Sequence, residues 1–123
     1  MTKKRILIVE DESIIAMDEA QIVGDLGYEV IGLVMTGEEA VEQAGRDKPD
    51  LVLMDIKLPG EMDGRDATRK IRELYRIPVI YVTAHRVWKR WEPQDAPLPE
   101  GIGHVSKPFT RSELKTEIER LIG

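Results

Sequence analysis

Apolar residues in this chain follow two rhythms. Short unbroken runs are bounded by turn formers, and longer stretches bring an apolar residue back every third or fourth position. The first rhythm reads as buried strand and the second as one face of a helix. Arg5 to Val9 is the first strand, running into Glu10-Asp11-Glu12. Ser13 is placed to cap the helix that follows, in which Ile15, Ile22, Val23 and Leu26 share an arc with Ala16 and Ala20 before Gly27 closes it. Glu19 falls inside that apolar arc, and nothing in the pattern accounts for it. Glu29 to Val34 is a second strand, weakened by Gly32. Thr36 to Glu39 has capping-box spacing and opens a short helix with Ala40, Val41 and Ala44 inward.

Leu51-Val52-Leu53-Met54 then runs straight into Asp55, between Pro49 and the Pro59-Gly60 turn. Asp63-Gly64 precedes a helix whose apolar positions are Ala67, Ile71, Leu74 and Tyr75. Pro78 to Val82 is the fourth strand, ending at Thr83, and Ile102 to Ser106 the fifth, ending at Lys107-Pro108. Thr110 to Glu113 is another capping box, and Leu114, Ile118, Leu121 and Ile122 form a clean stripe on the last helix. Strands and helices alternate throughout, which predicts an α/β domain, with helices on both faces of a parallel sheet and right-handed crossovers.

Residues 85 to 101 break the rhythm. His85 to Trp91 has room for about two helical turns, and Pro93, Pro97 and Pro99 forbid a longer helix. Trp88 and Trp91 would share a face. They either pack on the sheet or form a partner or homodimer surface, since exposed Trp and Arg make interface anchors. Arg86, Lys89 and Arg90 read as a solvated face.

Composition narrows the chemistry. The 123 residues form a single domain, 1–123, with no internal repeat, low-complexity segment or linker. Without cysteine there is no disulfide, thiolate nucleophile or zinc–thiolate site. A net charge of −5 argues against nucleic-acid binding by this domain. No apolar run approaches a membrane span, and the run after Lys3-Lys4-Arg5 is too short for a secretory signal. The expected setting is cytoplasmic, away from membranes.

In a parallel sheet all strands end at one edge, where such folds place their chemistry. Here those ends carry Glu10 and Asp11, then Asp55, Thr83 and Lys107. Two carboxylates ~4 Å apart repel by ~4 kcal/mol at an effective dielectric of ~20, so three acids call for a cation. An all-oxygen donor set suits Mg²⁺, which commonly shares phosphate oxygens. Asp55 is then a candidate carboxylate nucleophile toward phosphorus. Lys107 would pair with one phosphoryl oxygen as a point charge, and Thr83 would donate a hydrogen bond to another.

The whole chain resembles the receiver domains of two-component response regulators. The resemblance rests on Ile8-Val9-Glu10-Asp11-Glu12, Asp55 with Pro59 four residues on, Met62-Asp63-Gly64, Val82-Thr83-Ala84 and Lys107-Pro108-Phe109. It implies a flavodoxin-like, doubly wound, five-stranded sheet of order 2-1-3-4-5. It also implies a phosphorelay switch in which Asp55 accepts a phosphoryl group from a histidine kinase or phosphotransfer protein, then changes a surface read by a downstream protein. Asp11, Asp55 and the Lys57 backbone carbonyl would hold Mg²⁺, with Glu10 assisting through water. Thr83 and Lys107 match the switch hydroxyl and the phosphate-pairing lysine. The resemblance implies a self-catalysed phosphoacceptor with at most slow autodephosphorylation, not an enzyme acting on other molecules. The Lys57 side chain reads as solvated, although by resemblance Lys57 and His85 stand where the family tunes dephosphorylation.

The departures matter too. Glu10 replaces the commoner Asp, an extra residue lengthens the loop at Gly60-Glu61, and His104 stands at a usually aromatic switch position. It is either a switch residue or an ordinary strand histidine. The fourth helix is expected to be short or irregular, which alters the shape of the usual output surface. Two alternatives stand beside the switch: a phosphorylation-independent interaction module on the same fold, and an Asp-nucleophile phosphatase. Lys57 speaks against the phosphatase, because it stands where such enzymes carry a second Asp.

Overall fold

A computed structural model describes residues 2–91 and 97–123. Five parallel strands, β1 (Arg5–Val9), β2 (Glu29–Val34), β3 (Leu51–Met54), β4 (Val79–Ala84) and β5 (Ile102–Lys107), form one sheet in the order β2-β1-β3-β4-β5. This is the flavodoxin-like arrangement that the resemblance implies. Alternation along the strands divides the core. Leu7, Val9, Val52, Met54, Val79 and Tyr81 face α2 (Gly37–Asp47), α3 (Gly64–Tyr75) and α4 (His85–Trp91). Ile6, Ile8, Leu51, Leu53, Ile80 and Val82 face α1 (Ser13–Asp25) and α5 (Arg111–Ile122). Both faces of β3 are therefore covered, which is why its sequence is unbrokenly apolar.

Several local expectations change. Ser13 is already helical, and the cap position falls on Glu12, whose carbonyl accepts the Ala16 N–H while its side chain caps nothing. At α2, Thr36 accepts the Glu39 N–H, but the Glu39 carboxylate takes the Thr36 hydroxyl rather than a backbone N–H, so only half a capping box forms. The box at Thr110 and Glu113 is complete, and α3 carries another, between Asp63 and Asp66. Leu74 is 63% exposed, and Thr68 takes an inward place instead, so the buried stripe of α3 is Ala67, Thr68 and Ile71 with Tyr75 half-buried. The fourth strand starts at Val79 because Pro78 has no N–H to donate. Its carbonyl accepts from Val52, and the Val79 N–H goes to Gly101.

The seven-residue α4 matches the short fourth helix expected, and Pro93 lies outside the described residues. Trp88 is 6% exposed and belongs to the core, so the packing reading describes it and the partner-surface reading does not. Its ring lies flat on His104, with centroids 3.7 Å apart and planes 8° from parallel. Trp91 is half-buried and meets Tyr81 edge-on at 5.2 Å.

One glycine controls how closely α3 approaches the end of β3. The Gly64 N–H donates to the Ile56 carbonyl, and a Cβ at Gly64 would lie 1.9 Å from the Asp55 carbonyl oxygen. Backbone is on the other side of that clash, so no side-chain rotation relieves it. Gly64→Ala is expected to cost about 1–3 kcal/mol or more, read as a lower urea midpoint. A midpoint equal to the parent's would show that α3 has room to shift.

Candidate functional site

The carboxyl edge of the sheet brings together all four strand ends singled out from the sequence. Main-chain bonding sets their heights: the Asp55 N–H donates to the Val9 carbonyl, and β4 and β5 pair Thr83 with Ser106 and Ala84 with Lys107. Asp55, 8% exposed, is held from two sides. The Thr83 hydroxyl donates to its Oδ1 at 3.0 Å, and the Lys107 ammonium donates to its Oδ2 at 3.1 Å. The same ammonium donates to Glu10 Oε1, and Glu10 Oε2 accepts the Glu12 N–H at 3.1 Å.

Burial pushes the Glu10 carboxyl pKa up, and the Asp55 charge adds to this against the opposing Lys107 and Glu12 N–H. At Lys107 burial works downward. The hydrogen bond to Glu10 and the two carboxylate charges outweigh it and leave the ammonium pKa raised.

Glu10, Asp11 and Asp55 each place a carboxylate oxygen within 4.8 Å of the others. Lys107 bridges two of them, while Asp11 makes no ion pair or hydrogen bond among the described residues and lies open to the cleft beyond. The Lys57 carbonyl, on the loop after β3, likewise accepts no hydrogen bond among the described residues. A clustered oxygen set with free acceptor capacity on one side fits a hard divalent cation such as Mg²⁺. Glu10 sits deepest, already engaged by Lys107, which suits an outer, water-mediated role better than direct ligation.

The remaining candidates lie farther out. The Lys57 side chain and His85 are exposed. His104 is half-buried under Trp88, its Nε2 is 3.0 Å from Ser106 Oγ, and its N–H donates to Glu117. It is fixed by stacking and by hydrogen bonds at once.

The site includes a residue whose part the sequence did not explain. Glu19 is 3% exposed on the inner face of α1, and its Oε1 has no hydrogen-bond partner among the described residues. Burial lifts its pKa to about 8, with Lys107 opposing and Glu10 and Asp55 reinforcing the shift. An acid inside an otherwise apolar arc was the available signal.

Three comparisons bear on this geometry. The family model of the response regulator receiver domain matches residues 6–119. The transcriptional regulatory protein PdtaR of Mycobacterium tuberculosis is 40% identical over 116 residues, which cover 94% of this chain and 55% of that protein. This chain spans about half the length of the curated relatives it matches first. Among solved structures, the PhyR receiver domain of Erythrobacter litoralis superposes with a TM-score of 0.83 at 36% identity, covering 98% of this chain and 91% of that one. The receiver domain of the sensor histidine kinase PA1611 of Pseudomonas aeruginosa gives a TM-score of 0.83 at 35% identity, with 99% of both chains covered. It holds a magnesium ion in its active site cleft. No helix among the described residues is long and apolar enough to cross a membrane.

Glu19 makes stability depend on pH in a set direction. The folded chain keeps a proton up to about pH 8 that an ordinary glutamate, at 4.5, has already released. This contribution is complete below 4.5 and is lost as pH rises toward 8, by up to ~1.4 kcal/mol per pH unit. Glu19→Gln has no proton to lose, so its urea midpoint is expected to fall less between pH 5 and pH 8 than the parent's. Parallel pH profiles for the two proteins would mean that Glu19 is ionised in the fold.

Proposed function

The chain belongs to the response regulator receiver family, whose members are signalling domains, and from that premise we propose that it is a phosphorylation-controlled switch accepting a phosphoryl group on Asp55. Residues 1–123 are its receiver domain. The observation that carries the reading is the division of labour around Asp55. One oxygen takes the Thr83 hydroxyl, the other takes the Lys107 ammonium, and Asp11 and Glu10 leave a cation-sized acidic space beside them.

The donor is a phosphohistidine on a histidine kinase or phosphotransfer protein. A carboxylate oxygen of Asp55 attacks phosphorus, the P–N bond breaks, its electron pair returns to the imidazole, and an acyl phosphate forms. No general base is needed when the attacking group is a carboxylate oxygen. Lys107 pairs with one phosphoryl oxygen and Thr83 donates to another, so both groups that now hold the carboxylate transfer their bonds to the phosphoryl group. Asp11, Asp55 and the Lys57 carbonyl would hold Mg²⁺, with Glu10 assisting through water. The ion, when bound, supplies charge neutralisation for the phosphoryl oxygens.

The switch is a population shift, which requires the phosphoryl group to contact two states differently. Thr83 and Lys107 supply that difference. Thr83 is already bonded to Asp55 before any phosphoryl group arrives, because an ionised carboxylate is itself a strong acceptor. The change is therefore a relocation of bonds already made. Thr83 pairs with Ser106 across β4 and β5, and Ser106 bonds the ring of His104. His104, stacked on Trp88, carries the change to α4, and the altered surface around β5 and α5 binds a downstream protein.

The test is intact mass after incubation with Mg²⁺ and a small acyl-phosphate donor. The parent is expected to gain one phosphate and Asp55→Asn none. A folded parent that gains nothing would overturn the reading. Under a beryllofluoride mimic the His104 ring resonances should move, and unmoved resonances would discard its switch role.

A further inference from the structure

Beside the acidic pocket opens a second, differently charged cleft of about 620 Å³, reaching from Asp11 and Lys57 across the loop after β3 to α4. Its walls are apolar, with Leu58 on one side and Val87 and Trp91 on the other. Its rim carries Lys57, Arg65 and Arg90 against Asp11 at one end and Asp63, which pairs with Arg65, so the unpaired charge is that of Lys57 and Arg90. An adjoining recess of about 280 Å³ adds Arg86 beside Lys57, Val87 and Arg90. The volume lies in the range of true binding sites, ~300–1,000 Å³.

Two features separate this cleft from an ordinary solvated face. The Trp91 wall is braced: the Arg65 guanidinium lies 5.4 Å from the Trp91 ring centroid and is anchored to Asp63 at 3.1 Å. The remaining basic groups are not neutralised. Arg86, Lys57 and Arg90 make no ion pair among the described residues, and α4 itself contains no acid. The chain as a whole carries a net charge of −5. Against that net negative charge, a local cluster of unpaired basic groups sets both attraction and orientation for an acidic molecule. Trp and Arg are also the residue types that most often dominate binding energy at protein interfaces.

We propose that this cleft seats an acidic segment of a protein partner, with one large apolar side chain between Leu58 and Trp91 and flanking carboxylates on Lys57, Arg86 and Arg90. Lys57 and Asp11 belong to both this cleft and the site at Asp55, so an occupant here would sense the state of Asp55. Only that coupling rests on the phosphoacceptor reading, because the cleft's shape and charge do not depend on it.

The probe is a blocked, glutamate-rich peptide with a central leucine and phenylalanine, titrated into the ¹⁵N-labelled chain at low salt. Controls are the lysine-for-glutamate version, the alanine-for-leucine-and-phenylalanine version, and a short single-stranded oligonucleotide. Expected are shifts confined to the Trp91 indole N–H, the Lys57 and Leu58 amides and the α4 amides, weakening with added salt. Binding should fall at least about tenfold in Arg86→Glu/Arg90→Glu. It should be absent with the lysine version and weaker with the alanine version.

Shifts scattered over other faces, equal binding of the lysine version, or no effect of the double charge reversal would each overturn the proposal. So would saturable binding of the oligonucleotide with none of the acidic peptide. A spectrum of the unliganded double variant with the dispersion of the parent's confirms that lost binding is not lost fold. The phosphate adduct is read on the parent without peptide, so either idea can fail while the other stands.

Discussion

The Lys107 ammonium is the tie on which the functional edge depends. Glu10 and Asp55 come from neighbouring strands, and their carboxylates would repel by ~4 kcal/mol at ~4 Å separation and an effective dielectric of ~20. Lys107 reaches both from the end of β5, two strands away from β3, and is raised in pKa by doing so. That reach is available only because all five strands run parallel and end at one edge. The sheet order places β4 between the acid-bearing β3 and the lysine-bearing β5, and Thr83 at the end of β4 fills the gap by bonding Asp55. The fold and the electrostatics are thus one arrangement: reversing a strand would leave buried carboxylates without their cation.

Charge around this tie is layered. Glu19 lies behind it, on α1, in surroundings that leave no room for another negative charge, and it stays protonated to about pH 8. At the edge lie three acids with one ammonium, open on the Asp11 side. Beyond them, across the loop after β3, come Lys57, Arg65 and Arg90. On the proposed reading, the acids alone would repel a phosphodonor, and the nearby cations would offset part of that repulsion.

The strands and their ends were legible because each is a short apolar run closed by a polar residue, and parallel strands buried on both faces must read that way. Asp11, Asp55, Thr83 and Lys107 could be placed together from topology alone. What escaped depended on how a helix rolls against the sheet. Ala67 and Ile71 fix the inner line of α3, and whether Leu74 or Thr68 completes it differs by a small rotation that the period does not resolve. Trp88 and Trp91 show the same limit. Their spacing puts them on one face of α4, but only the packed structure distinguishes a face turned to Tyr81 and His104 from one turned to solvent. Glu19 was visible as an anomaly and not as a role, since its pKa follows from depth of burial and from charges on strands far away in sequence.

On the proposed reading, the packing of Trp88 on His104 also bears on how a signal would leave Asp55. Thr83 and Lys107 already bond one oxygen each of the carboxylate, so on the proposed reading phosphorylation does not recruit free donors. It carries the acceptor oxygens outward from the end of β3, and the same two donors must follow to keep their bonds. Thr83 is paired with Ser106, and Lys107 with Ala84, in adjacent rungs of one ladder. Where the backbone follows the side chains, the ends of β4 and β5 would shift together. His104 is two residues before Ser106 and bonded to it, and its ring lies flush against Trp88. A stacked pair tolerates sliding far better than separation, because the contact area falls slowly along the plane and abruptly across it. The cheapest response of α4 to such a shift in β5 would be to slide with it, and that motion would carry Trp91, a wall of the cleft beside Lys57, in the same direction as the strand ends.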